Sequence, residues 1–205
     1  MSWRFGRQAA VATLAVALIA ATAPQSEDPD WPCQQRLVPK LGPAAYWNGP
    51  LDMQGDWQAD PAVAGLVRQL APRRVTVEEG LAAIGAFAKT VSDDRTHHLA
   101  LVFRGLLVET DSQRADLIER LKQIGGRQRE LAELAARLAG ELDAIPSNAP
   151  GDAAAKRTDL QERHDFTMRN FEEIQRTIRY ACEVPVHLDA RLGAWARALQ
   201  RAAQP

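Results

Sequence analysis

The chain has 205 residues, with 25 Lys+Arg, 26 Asp+Glu, four His and two Cys; 46% of it is hydrophobic and 25% charged. That composition fits one ordinary domain with a core and argues against wholesale disorder. A formal charge of -1 lacks the basic excess that a phosphate-backbone binder carries, so no nucleic-acid partner is expected.

Residues 1–23 read as a secretory signal peptide. Arg4 and Arg7 form a positive start, Ala9 to Ala21 an uncharged and mostly apolar run, and Ala21-Thr22-Ala23 a small-residue cleavage site. Pro24 disfavours cleavage after Ala23, so Ala21 is an alternative end point, and a retained anchor is a further one. The run is shorter than the roughly 20 residues that a membrane span needs, and no second stretch is long enough. Removing two arginines leaves 23 basic and 26 acidic residues, a formal charge of -3. The expected compartment is the oxidising periplasm of a Gram-negative cell, with no stable membrane span after cleavage.

In such a compartment, an even cysteine count favours pairing. Cys33 with Cys182 would close a loop of about 150 residues, for which chain entropy gives about 4 to 5 kcal/mol. Free thiols, or a redox or metal pair, are the alternatives. Neither cysteine has a Cys-x-x-Cys spacing or a nearby His.

Residues 24–58 form a segment dense in Pro and Gly, which forbids a long helix and predicts an extended arm. Trp31, Tyr46, Trp47 and Trp57 interrupt it. They are expected to anchor the arm along a helical body. The alternative is a binding arm with Trp31, Trp47 and Trp57 presented to a partner.

Residues 59–205 then read as helical. Asp60-Pro61 is a cap with Pro at the first helical position, opening a short helix that ends near Pro72. Thr76-Val77-Glu78-Glu79 opens a second, with Leu81, Ile84, Phe87 and Ala88 at helical spacing. Asp93 and Asp94 start a third. From about residue 96 to 145 there is no proline, and Leu117, Leu121, Ile124, Leu131, Leu138, Leu142 and Ile145 fall on one alternating 4-3 series. This predicts a long helix with a coiled-coil seam, in which Gly125-Gly126 is a point for a kink or break.

The turn Pro146 to Gly151 leads into a second arm, about residues 152–182, with its seam at Leu160, His164, Thr167, Phe171, Ile174, Ile178 and Ala181. Two helices joined by a short turn run antiparallel, which sets Ile124 near Ile174, Leu117 near Tyr180 and Ala181, and Gln128 near Arg169. Pro185 ends or kinks this arm. Val186 to Ala202 reads as a last helix, with Val186, Leu188, Leu192, Trp195 and Leu199 as its apolar set.

Chemistry is sparse. His97-His98 follows Asp93-Asp94, but adjacent histidines on a helix point about 100° apart, a poor arrangement for one metal. His164 falls on a helix seam, where a tolerated polar residue is the ordinary account. His97, His98 and His164 are therefore weak metal candidates, and no cofactor is expected. There is no Gly-x-Ser-x-Gly elbow, phosphate-binding glycine loop, His-Glu-x-x-His pair or Rossmann fingerprint. Arg127 and Arg137 give the first arm some basic character and are partner-contact candidates, but they alternate with acids. If the Leu106-Leu107-Val108 face is uncovered, two hairpins could pair as a homodimer.

The phrase Asp30-Trp31-Pro32-Cys33-Gln34-Gln35-Arg36-Leu37-Val38-Pro39, followed by Tyr46-Trp47-Asn48-Gly49-Pro50, resembles the mature N-terminus of an uncharacterised family of small exported proteobacterial proteins. Tyr180-Ala181-Cys182-Glu183-Val184-Pro185 is similar to its C-terminal phrase. The resemblance implies a Gram-negative periplasm and supports pairing Cys33 with Cys182. It implies no activity and transfers no catalytic residue.

The expectation is an all-α protein: a long antiparallel, coiled-coil-like hairpin with short helices and an aromatic arm at its base. Its expected role is a non-enzymatic scaffold, adaptor or chaperone-like partner of another envelope protein. The alternative is a small-ligand or metal-binding accessory protein of an exported redox enzyme.

Overall fold

A computed structural model describes residues 28–204, apart from Pro50, residues 52–54 and Ser92. The expected signal peptide, residues 1–23, lies outside the described residues. Those residues form an all-α fold: a short 3-10 turn, Pro43–Ala45, then α1 (Pro61–Leu70), α2 (Val77–Thr90), α3 (Arg95–Asp143), α4 (Asp152–Ala181) and α5 (Glu183–Ala203).

Local chemistry sets the boundaries. Asp60 caps α1 by accepting from the Ala62 and Val63 amides, with Pro61 at the first position. Thr76 and Glu79 form a reciprocal capping box at α2. Asp94 precedes α3 in the left-handed region (φ 45°), which Asp tolerates better than most residues, and its side chain does not cap the helix. At the far end of α3, Arg157 donates to the carbonyls of Leu142 (2.7 Å) and Ile145 (2.6 Å), satisfying groups that the helix end leaves open.

α3 has 49 residues, about 73 Å at 1.5 Å per residue. α4 and α5 run back along it as one bent element, interrupted only at Cys182. The last helix starts at Glu183, three residues before the sequence reading had it, because Pro185 occupies its first turn, where no intrahelical donor is needed.

The apolar interior is divided. The lower half of α3 packs with α1, α2 and α5 in a head whose core includes Val63, Val67, Leu99, Phe103, Leu192 and Trp195. A second, small cluster of Leu138, Leu142 and Leu160 lies near the hairpin tip, supported by Leu134 and Ile145. Between them the seam is looser. Leu121, Ile178 and Thr167 are buried, whereas Ile124, Leu131, His164, Phe171 and Ile174 are half-buried.

Several expectations are corrected. α3 does not break at Gly125-Gly126; the two glycines admit another part of the chain, described below. Ile118, one position off the predicted seam, is buried, and Leu117 is only half-buried. A strict seven-residue repeat drifts about 20° per heptad on a straight helix, so the face towards the head is not the face towards α4. Tyr180 is 70% exposed and Val186 is 49% exposed, so neither is part of the apolar interior. Leu106 and Leu107 are buried in the head and only Val108 is exposed. That removes the uncovered face on which the homodimer rested.

Candidate functional site

At the neck, where the bare hairpin meets the head, the arm, α3, α4 and α5 come together. Cys33 and Cys182 are joined there by a disulfide, with Cα atoms 5.6 Å apart. Cys182 is the hinge residue between α4 and α5, so the bond ties the N-terminal arm across the bend.

The arm descends α3 from mid-helix to the head. At the top, Asp28 pairs with Lys122 (2.7 Å) and Asp30 with Arg129 (2.5 Å). The Lys122 ammonium holds the Asp28 carboxyl below its ordinary range, and Asp28 in turn raises Lys122. A Cβ on Gly125 would overlap the Asp30 carbonyl and lie 3.1 Å from Pro32. The Gly-Gly pair is therefore the seat of the arm. Lower down, Arg114 donates to the Val38 carbonyl (3.1 Å) and Asp111 accepts from the Leu41 amide (2.9 Å). These latches read arm backbone, so they satisfy an extended segment whatever its side chains.

The aromatics finish the anchoring. Trp47 stacks on Phe103 with ring centroids 5.0 Å apart. Trp57 lies against Gly105, where an added Cβ would come within 3.0 Å of the indole. Both rings are buried, and this takes Trp47 and Trp57 out of the partner-contact set. Trp31 is half-buried and donates its indole N–H to the Gln35 carbonyl (2.8 Å), which fixes a turn within the arm. Arg127 and Arg137 are exposed on α3.

Beneath the arm, the Tyr46 hydroxyl donates to the Asp189 carboxylate. Burial first, and the hydrogen bond to Asp189 second, push the Tyr46 hydroxyl well above its ordinary value. A small cavity of about 260 Å³ adjoins this pair, but the Arg114 guanidinium beside it is turned to the arm backbone.

A larger cleft, about 940 Å³, opens on the other side of the disulfide. Pro32 to Gln35 form its arm side, and Gln128 its α3 side. Gln175, Ile178 and Arg179 come from the end of α4, and Glu183, Val186 and His187 from the start of α5. The neck cleft was not found from sequence, because it needs the α4–α5 bend and the seated arm together. Gln128 shares it with Gln175.

The histidines are dispersed. His98 contacts Asp60 (Nε2–Oδ2, 3.2 Å) and the Asp94 carbonyl, which ties α3 to the cap of α1. His97 is exposed and meets His98 edge to face. His164 lies 3.5 Å from Asp165 on the hairpin. No group of three or more His, Cys, Asp or Glu among the described residues could hold a metal ion. Among them, too, no helix is long and apolar enough to cross a membrane. Compared with known proteins, the chain matches no family model, no curated protein and no solved structure.

Proposed function

We propose that this protein is an exported, non-enzymatic scaffold, adaptor or chaperone-like component of the Gram-negative periplasm, acting through its helical hairpin on another envelope protein. The observation that carries the reading is the divided interior. The head has its own core, and the hairpin beyond the neck is held only by a small tip cluster and a loose seam. The head core does not need such an extension, but a contact surface does. α4 also carries Phe166, 60% exposed, and Tyr180, 70% exposed, on one outer face. They are 14 residues apart, about 21 Å along the helix. The Cys33–Cys182 disulfide supports an oxidising compartment.

The test replaces residues 140–158 with a short turn and measures crosslinked capture from native envelope. The expected protein unfolds cooperatively, as its parent does, and loses its dominant partner. Capture at the parental level moves the partner surface off the tip. A variant that does not fold refutes the independence of the head. The second reading is a ligand-binding accessory protein of an exported redox enzyme, and it draws its support from the neck cleft beside the disulfide.

A further inference from the structure

The neck cleft joins four chain segments, and its polar groups have few protein partners. Among the described residues, the side chains of Gln34, Gln128 and Gln175 form no hydrogen bond, and Arg179 forms no ion pair. The Gln35 amide nitrogen is committed to the Cys182 carbonyl (2.7 Å), which leaves its side-chain oxygen. Three elements thus place glutamines around one open cleft, with Gln34 and Gln175 exposed and Gln128 half-buried. At about 940 Å³ it lies towards the upper end of the roughly 300 to 1,000 Å³ of ligand sites. Pro32, Ile178 and Val186 supply the apolar part of the lining.

The lining selects among ligand classes. A carboxamide offers a donor and an acceptor together, which is the complement of a peptide unit. The His187 imidazole is the one ring in the lining, and no Phe, Tyr or Trp is there to give a nucleobase or a sugar face a broad stacking platform. Arg179 offers a two-pronged donor to a carboxylate. Glu183, one turn further, repels a second acid, so a polyanion does not suit the site. We propose that the cleft binds a short extended peptide segment carrying one acidic side chain or a free C-terminal carboxylate. The carboxamides of Gln34, Gln128 and Gln175 hold its backbone, and Arg179 takes its negative group. The inference rests on the adaptor reading, and gives that adaptor a second, sequence-tolerant contact at the neck. The disulfide forms part of the cleft wall and fixes the arm that carries Gln34 and Gln35.

The experiment uses the disulfide-bonded protein. A phage-displayed library of random octapeptides is selected on it, and the recovered sequences are made as fluorescent peptides, each with a free or amidated C-terminus. Anisotropy gives Kd, and the side-chain amide signals of Gln34, Gln128 and Gln175 are followed by NMR. A chitin tetrasaccharide is titrated in parallel as the competing class. The expected result is peptide binding that shifts these amide signals and weakens about tenfold in Gln128→Ala and in Gln175→Ala. Arg179→Gln should cost about tenfold more for carboxylate-bearing peptides, with little effect on neutral ones. Alanine suits a helix, so both glutamine variants should keep the parental melting temperature. No selectable peptide, peptide binding unaffected by the three variants, or saccharide binding at the same amide signals overturns the proposal. The adaptor reading fails separately, if the parental protein captures no envelope partner.

Discussion

Gly125 and Gly140 lie in the same helix, and alanine should act on them in opposite directions. Near Gly140 nothing comes within 4 Å of an added Cβ, whereas at Gly125 the Cβ meets the Asp30 carbonyl. Alanine in a helix interior is favoured over glycine by about 1 kcal/mol, so Gly140→Ala should stabilise by that amount. At Gly125 the same gain is opposed by overpacking, which costs about 1 to 3 kcal/mol. The arm cannot easily step away, because Cys33, three residues on, is bonded to Cys182. Gly125→Ala should therefore be about 1 to 3 kcal/mol worse than Gly140→Ala. For a chain of this size, 1 kcal/mol moves the melting temperature by about 2 to 4 °C. Thermal unfolding of both variants, followed by circular dichroism, reads the difference directly. Repeating it with Cys33→Ser and Cys182→Ser should shrink the difference, since the released arm can move aside. Equal stabilisation by the two alanines, with the disulfide intact, refutes the seating of the arm on the glycine pair.

Three further outcomes are expected. Replacing both cysteines with serine should cost up to about 5 kcal/mol by chain entropy over the 149-residue separation, and trypsin should then cut at Arg36 and Lys40 while Trp47 and Trp57 hold the lower arm; an unchanged melting temperature and digestion pattern would argue against the clamp. Tyr46 keeps its proton more tightly in the folded state, so its contribution is fully present below pH about 10, the unfolded value, and is lost as pH rises from there through the higher folded value; Tyr46→Phe should flatten the alkaline fall in stability, and an unaltered slope would refute the Tyr46–Asp189 link. Arg191 is buried, donates to the carbonyls of Ala71, Pro72 and Val75, and stacks 4.7 Å from the Trp195 ring. Arg191→Leu should cost about 2 to 4 kcal/mol in urea unfolding, and Arg191→Lys should recover less than half, a result that full rescue by lysine would contradict.

The helices were legible because their signals are local. Asp60-Pro61, Thr76 with Glu79, and the 4-3 series from Leu117 to Ile145 each act within a turn or two, and each produced the expected element. The arm was legible as extended, and its tryptophans as anchors, because proline excludes helix and large aromatics seek burial. What stayed hidden depends on contacts between distant segments. Gly125-Gly126 reads as a weak point until Asp30 is seen against it. Arg114 and Arg191 are buried and serve distant backbone carbonyls, a role that no local pattern signals. The neck cleft belongs to the same class, since the residues lining it run from Pro32 to His187 in the chain.

The unbroken course of α3 has a mechanical consequence. A single rod of about 73 Å serves both halves of the molecule, so a load applied near the tip acts on the head through a lever. The opposing strut, α4 with α5, is jointed at Cys182, level with the middle of that lever. The one covalent cross-link is at that joint, so any bending there should pivot on it. Tilt at the far end should widen or narrow the neck cleft, while the head moves as one piece.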